Sequence, residues 1–186
     1  TGYNGYILNL TSQAWRSSAE VDRTLWQHWL SIVVPVGVSS STAMLLIDGG
    51  DNGGSAPSVP DSLTIYMALN TQSVVAHLFQ VPNQPLTFAD ETEPRREDAI
   101  LAYSFDKYLT TCDGTWPALL PMVKSAVRAM DTVQAFVPSV TGGSVHPNQF
   151  VVTGASKRGW TTWLTAAVDA RVPALAPLVI DLLNLD

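Results

Sequence analysis

The hydrophobic positions of this chain follow two rhythms. Short apolar runs bounded by glycine, proline or asparagine read as strands. Between them, apolar residues recur every three or four positions, as on one face of a helix. YILNLTSQAW (6–15) and HWLSIVVPV (28–36) are strand-like, the second with Pro35 near its end. AMLLID (43–48) is a continuous apolar run that stops at glycines, as strands buried on both faces do. A helix follows over 62–71, with Asp61 or Ser62 as its cap, and then a strand over 73–81. Two helices come next. One spans 95–111, with Ile100, Leu101, Tyr103 or Ser104, and Tyr108 near one face; the other spans 117–137 and opens on Pro117, which suits a first helical turn. The pattern ends with a strand over 149–155, a helix over 157–168 and a strand over 174–181 that contains Pro177. The stretches 49–62 and 80–98 are rich in turn residues and read as long loops.

Strands that alternate with helices imply an α/β fold, a mostly parallel sheet with helices on both faces. The first two strands have no helix between them and imply an antiparallel start. Ligands of such sheets bind beyond the carboxyl ends of the strands. Three turns belong there: DGGDN after Ile47, GASKRG after Thr153 and DLLN after Ile180.

Composition narrows the function classes. The 186 residues suffice for one domain with a substantial core. The formal charge is -6 and no basic patch stands out, which argues against a nucleic-acid partner. No apolar run approaches the roughly 20 residues of a membrane-spanning helix. No cluster of metal-ligand residues and no phosphate loop is visible, so neither metal nor cofactor is expected. The single cysteine, Cys112, reads as a small core or half-buried residue, or as one half of a disulfide to a segment outside this chain. Asn9-Leu10-Thr11 matches the glycosylation triplet, and six tryptophans with little lysine lean towards an exported protein, secreted or periplasmic. The start at Thr1, without methionine or signal peptide, reads as a processed boundary.

The chemistry-bearing stretch is VVTGASKRGW (151–160). A serine on a sharp strand-to-helix turn is held with its hydroxyl exposed, and small neighbours let strand and helix approach. The usual pattern is G-x-S-x-G. Here Gly154 fills the first position, Arg158 replaces the second glycine, and Gly159 follows one residue late. Ser156 is therefore either a nucleophile or a helix cap. Lys157 and Arg158 oppose the dipole at a helix start, so they imply an anionic partner: a carboxylate of the same protein, or a charged substrate. Acyl transfer also needs oxyanion donors. The N–H of Lys157 is one candidate, and the glycine turn after the third strand supplies another, Gly50 before Asp51. Trp160 and Trp163 follow the serine on its helix and either pack the core or line a pocket.

The segments LTSQAWR, WQHWLSIVVP, LLIDGGDN, TGASKRGWTTWLTAAVDARV and VIDLLN resemble the PhoPQ-activated pathogenicity-related protein family, of the α/β-hydrolase superfamily. The similar segments run from about residue 6 to residue 184. GASKRG also resembles the G-C-S-R-x-G serine turn of glucuronoyl esterases, whose basic residue after the nucleophile assists the oxyanion, as Lys157 would here. The resemblance implies a serine-hydrolase-like core, usually in exported proteins. Some eukaryotic relatives are secreted repressors of proliferation, which keeps a signalling role without hydrolysis open.

In that superfamily the chain order is nucleophile, acid, histidine. His28, His77 and His146 all precede Ser156. His28 and His77 read as satisfied core or rim histidines, and His146 as part of a loop entering the serine strand. After the serine, Asp181 at the end of the last strand is the candidate triad acid. Residues 1–186 are thus expected to be the N-terminal part of a single α/β-hydrolase domain, lacking its C-terminal strands. A further segment or a partner chain would supply the histidine. The expected reading is a serine hydrolase acting on an ester or amide of a small molecule or peptide. In it Ser156 attacks, Lys157 and Gly50 hold the oxyanion, and Arg158 and Trp160 contact the substrate. The alternatives are a non-catalytic binding, signalling or assembly protein, and a lyase or transferase using the same serine.

Overall fold

A computed structural model describes residues 2–180. Six strands form one sheet: β1 (Tyr3–Ala14), β2 (Leu25–Pro35), β3 (Thr42–Ile47), β4 (Val75–Leu78), β5 (Gln149–Ala155) and β6 (Ala174–Leu178). Their order across the sheet is β1-β2-β4-β3-β5-β6. β1 and β4 both run antiparallel to β2, whereas β4, β3, β5 and β6 are mutually parallel. The antiparallel start and parallel continuation follow the predicted order of elements. Four helices connect the strands: α1 (Ser62–Thr71), α2 (Asp98–Thr111), α3 (Leu119–Val140) and α4 (Lys157–Val168).

Side-chain alternation decides which face each helix covers. On β2, Trp26, Leu30, Ile32 and Val34 point into the main core, while Val33 points the other way, onto a smaller cluster with Ala68 of α1. α3 covers the main face. Met122, Ala126, Ala129, Met130, Val133 and Val137 recur every three or four residues along it and are fully buried. Cutting Met130 back to alanine would cost about 2–5 kcal/mol by lost transfer energy and cavity.

The element boundaries shift for identifiable reasons. β4 ends at Leu78, because the chain turns at Gln80, which has a positive φ of 63°. α2 starts at Asp98 rather than 95, because Arg95 is bound back to Leu86 by two backbone hydrogen bonds. The first half of the loop between them is internal. Val81, Asn83, Leu86 and Phe88 have no exposed surface. Cys112 is exposed rather than core, and it ends α2 in the left-handed conformation, with φ 58°.

Candidate active site

The last turn of β5 leads into α4 through Ser156, whose backbone has φ 57° and ψ -125°. A side chain in that region costs about 1–3 kcal/mol and persists only where its surroundings hold it. Ser156 stands at the cap position of α4, but its hydroxyl makes no capping hydrogen bond. Capping therefore does not explain the serine. Its N–H donates to Leu178 O at 2.9 Å, and its carbonyl accepts from Trp160 N–H at 3.1 Å. Two glycines allow the tight turn. A Cβ on Gly154 would lie 2.7 Å from Arg158 O, and one on Gly159 would lie 2.5 Å from Ile180 Cγ2 and 3.1 Å from Gly154 O. A side chain two after the serine is thus tolerated because Gly154 clears room for its backbone. Gly159, one residue late, does the same between α4, β5 and the end of β6.

The two cations after the serine meet a carboxylate of the same chain. Lys157 is buried, and its Nζ donates to Glu97 Oε2 at 2.6 Å and to Asp98 Oδ1 at 3.1 Å. Arg158 donates to Glu97 Oε1 at 2.6 Å and to Val81 O at 2.5 Å. Gln84 completes the cluster: it accepts from Glu97 N–H and donates to Glu97 Oε1, both at 2.7 Å. Burial pushes the Glu97 carboxyl pKa upward, but the hydrogen bonds from Arg158, Lys157 and Gln84 outweigh it and bring the value down to about 2.

The glycine turn after β3 lies beside the serine turn, because Ile47 is the register partner of Gly154. Arg158 packs on it so closely that a Cβ on Gly49 would lie 2.6 Å from a guanidinium nitrogen. Within the turn, Gly49 N–H donates to Asp48 Oδ1 at 2.7 Å, and Gly49 O accepts from Gln80 N–H at 2.7 Å. With the Gly49 amide used, Gly50 carries the next N–H along the turn. Its φ of 122° is one that a residue with a side chain rarely adopts. Asp51 pairs with Arg96, a second tie between this turn and the start of α2.

The three histidines go elsewhere. His28 is buried: its Nδ1–H donates to Phe79 O at 3.0 Å, and its Nε2 accepts from the Ser12 hydroxyl at 2.9 Å. Burial pushes its pKa down to about 4. His77 is buried between two carboxylates, Asp61 Oδ2 at 2.7 Å from Nδ1 and Asp48 Oδ2 at 3.0 Å from Nε2. His146 contacts Gly143 O at 2.8 Å, in the loop that enters β5 from the edge opposite the serine. Trp160 stacks on Phe105 of α2, with ring centroids 6.1 Å apart, while Trp163 is exposed. Asp181, the candidate triad acid, lies outside the described residues. Among the described residues no group of three metal-binding side chains converges, and no helix is long and apolar enough to cross a membrane.

Glu97 and Gln84 are site neighbours that the sequence did not flag, whereas Asp48 opens the DGGDN turn expected at the ligand end and His77 reads as a core or rim histidine. An acid before a helix is an ordinary start signal, and nothing in its spacing ties Glu97 to a serine about sixty residues later.

The chain is similar to several known proteins. Autocrine proliferation repressor protein A of Dictyostelium discoideum is 42% identical over 185 residues, and the chain spans 37% of that protein's length. A glucuronoyl esterase from Solibacter usitatus superposes with a TM-score of 0.50 at 12% identity, over 94% of this chain and 51% of that one. Esterase Est22 superposes with a TM-score of 0.42 at 12% identity, over 88% of this chain and 38% of that one. The fold is that of the α/β-hydrolases. Residues 1–186 match one family model throughout, and the chain belongs to the PhoPQ-activated pathogenicity-related protein family.

Proposed function

We propose that this protein is a serine hydrolase acting by acyl transfer, and that this chain carries its nucleophile and oxyanion donors. The observation that carries the reading is Ser156, held at φ 57° and ψ -125° between β5 and α4 with its hydroxyl free of any capping bond. Its Oγ attacks the carbonyl carbon of an ester or amide. The negative charge formed on the carbonyl oxygen is met by the N–H groups of Lys157 and Gly50. A histidine takes the serine proton and returns it to the leaving alcohol or amine. His28, His77 and His146 are engaged elsewhere, so that histidine comes from a further segment or a partner chain, with Asp181 as the candidate acid. Arg158 and Trp160 flank the serine on α4. They would meet a small-molecule or peptide substrate with the parts of their side chains not given to Glu97 and Phe105. An exported location, secreted or periplasmic, belongs to the same proposal.

The test is fluorophosphonate labelling of the full-length protein, with the adduct mapped by peptide mass spectrometry. The expected adduct is on Ser156 and disappears on heat denaturation. A folded protein that takes no adduct would instead support the second reading, a binding or signalling protein on the same scaffold. The relative named as an autocrine proliferation repressor favours that reading.

A further inference from the structure

His77 points away from the main core, towards α1, and it joins two parts of the fold that no backbone hydrogen bond connects. On one side is Asp61, which caps α1: its Oδ1 accepts from Thr64 N–H at 3.0 Å, and its Oδ2 lies 2.7 Å from His77 Nδ1. On the other side is Asp48, the first residue after β3. Its Oδ2 lies 3.0 Å from His77 Nε2, and its Oδ1 accepts from Gly49 N–H at 2.7 Å. Each ring nitrogen of His77 thus faces a carboxylate oxygen within hydrogen-bond distance. The ring is itself immobilised, stacked on Phe79 with centroids 3.9 Å apart. The result is a continuous run from the cap of α1 through His77 and Asp48 to the first amide of the glycine turn.

We propose that His77 is a positioning residue for the Gly49–Gly50 turn: acting through Asp48, it fixes the direction of the amide that faces the substrate oxygen. Its catalytic consequence rests on the hydrolase reading above, but the brace does not. A turn with two glycines has many accessible conformations, and oxyanion donors act only when held in place before the reaction. Besides the Gln80 and Arg96 contacts, two side chains brace this turn's first residue. Arg158 packs on Gly49 from the serine side, and the Asp48 carboxylate, held by His77, takes the Gly49 amide. Asp48 is the exposed member, with 56% side-chain exposure, so a rigid partner decides where its carboxylate stays.

The test is amide hydrogen exchange on the full-length protein, read for residues 48–51, in wild type, His77→Ala and Asp48→Asn. Asp48→Asn keeps the oxygen that accepts from Gly49 and loses the one that faces His77. It serves where the histidine variant does not fold. Exchange at 49–51 is expected to rise at least tenfold in either variant, with the amides of β5 and of α1 in Asp48→Asn unchanged. Fluorophosphonate labelling of Ser156 should slow by a similar factor. Unchanged exchange at 49–51 in a folded variant would overturn the proposal. A rise in exchange in a protein whose wild type takes no adduct would keep the brace and remove the hydrolase reading.

Discussion

Glu97 and Ser156 share almost the same left-handed backbone, φ 51° and ψ -128° against φ 57° and ψ -125°, each as the cap residue of a helix. The two strained residues are linked, since the cations that follow Ser156 both end on the Glu97 carboxylate. The start of α2 and the start of α4 are thus one unit, and the strained geometry of Ser156 is held in part from sixty residues away.

Removing Glu97 should therefore loosen the serine turn. Glu97→Ala leaves Lys157 buried with only the exposed Asp98 as partner. An unpaired buried charge costs about 3–5 kcal/mol. Solvent screening of the half-exposed Glu97 reduces the expected loss to about 2 kcal/mol. Urea unfolding measures it. A loss near zero would mean that Lys157 finds water or Asp98 at no cost. The double variant Glu97→Leu with Lys157→Met should recover part of the loss, because it removes the buried ammonium while Arg158 still loses its carboxylate.

Acid should destabilise the protein in two separate windows. His28 is neutral in the native state, with its pKa near 4 against 6.5 for the free group. Above pH 6.5 neither state binds the proton. As the pH falls from 6.5 to 4, the unfolded chain takes it up and the native one does not, so stability drops by about 3 kcal/mol and then levels. Glu97 acts lower down. Its contribution is full above 4.5 and is lost as the pH falls towards 2. Urea midpoints against pH should show both limbs, with His28→Gln flattening the first and Glu97→Gln making the second shallower, since Asp61 and Asp113, also lowered to about 2, share it. A first limb that persists unchanged in His28→Gln would assign it to another group.

The order of strands and helices was legible because apolar runs and helical spacing are local signals. So was the serine turn, whose strand, small residues and helix all lie within ten residues. The clash of Lys157 and Arg158 with the helix dipole correctly called for an anion, since the dipole is also local. Which anion was not legible. Glu97 reaches the site only after the loop 80–98 folds inward, and that loop's polar letters hide the fact that Asn83 and Gln84 are buried. His77 reads as one apolar-strand residue among others until β4 pairs with β3 and brings it level with Leu46, two residues from Asp48.

Gly154→Ala and Gly159→Ala should each destabilise by overpacking, about 1–3 kcal/mol. The new methyl of the first meets backbone atoms of Arg158. That of the second meets Leu178 O and Gly154 O as well as the Ile180 side chain. Backbone contacts cannot swing aside, so Gly154→Ala should also slow labelling of Ser156. Thermal unfolding and labelling rate, measured together, check this. Wild-type values for both would show that the strand and helix separate without effect on the serine.

The strain at Ser156 has its own signature in a pair of substitutions. Alanine removes the hydroxyl and keeps the Cβ, so Ser156→Ala retains the cost of a side chain at φ 57° and ψ -125°. Glycine removes the Cβ, and this region is open to it. Its greater freedom in the unfolded chain opposes the gain by about 0.4–1 kcal/mol. The strain term of about 1–3 kcal/mol is the larger, so Ser156→Gly should be more stable than Ser156→Ala by about 1 kcal/mol. In a domain of this size that is about 2–4 °C in Tm. At an ordinary helix cap the alanine and glycine variants would differ for a different reason, the lost capping bond, and both would fall below serine. Here serine makes no such bond, so Ser156→Ala should match the wild type within about 0.5 kcal/mol, with glycine above both. Serine above both variants would make the residue a cap and remove the argument for a strained nucleophile.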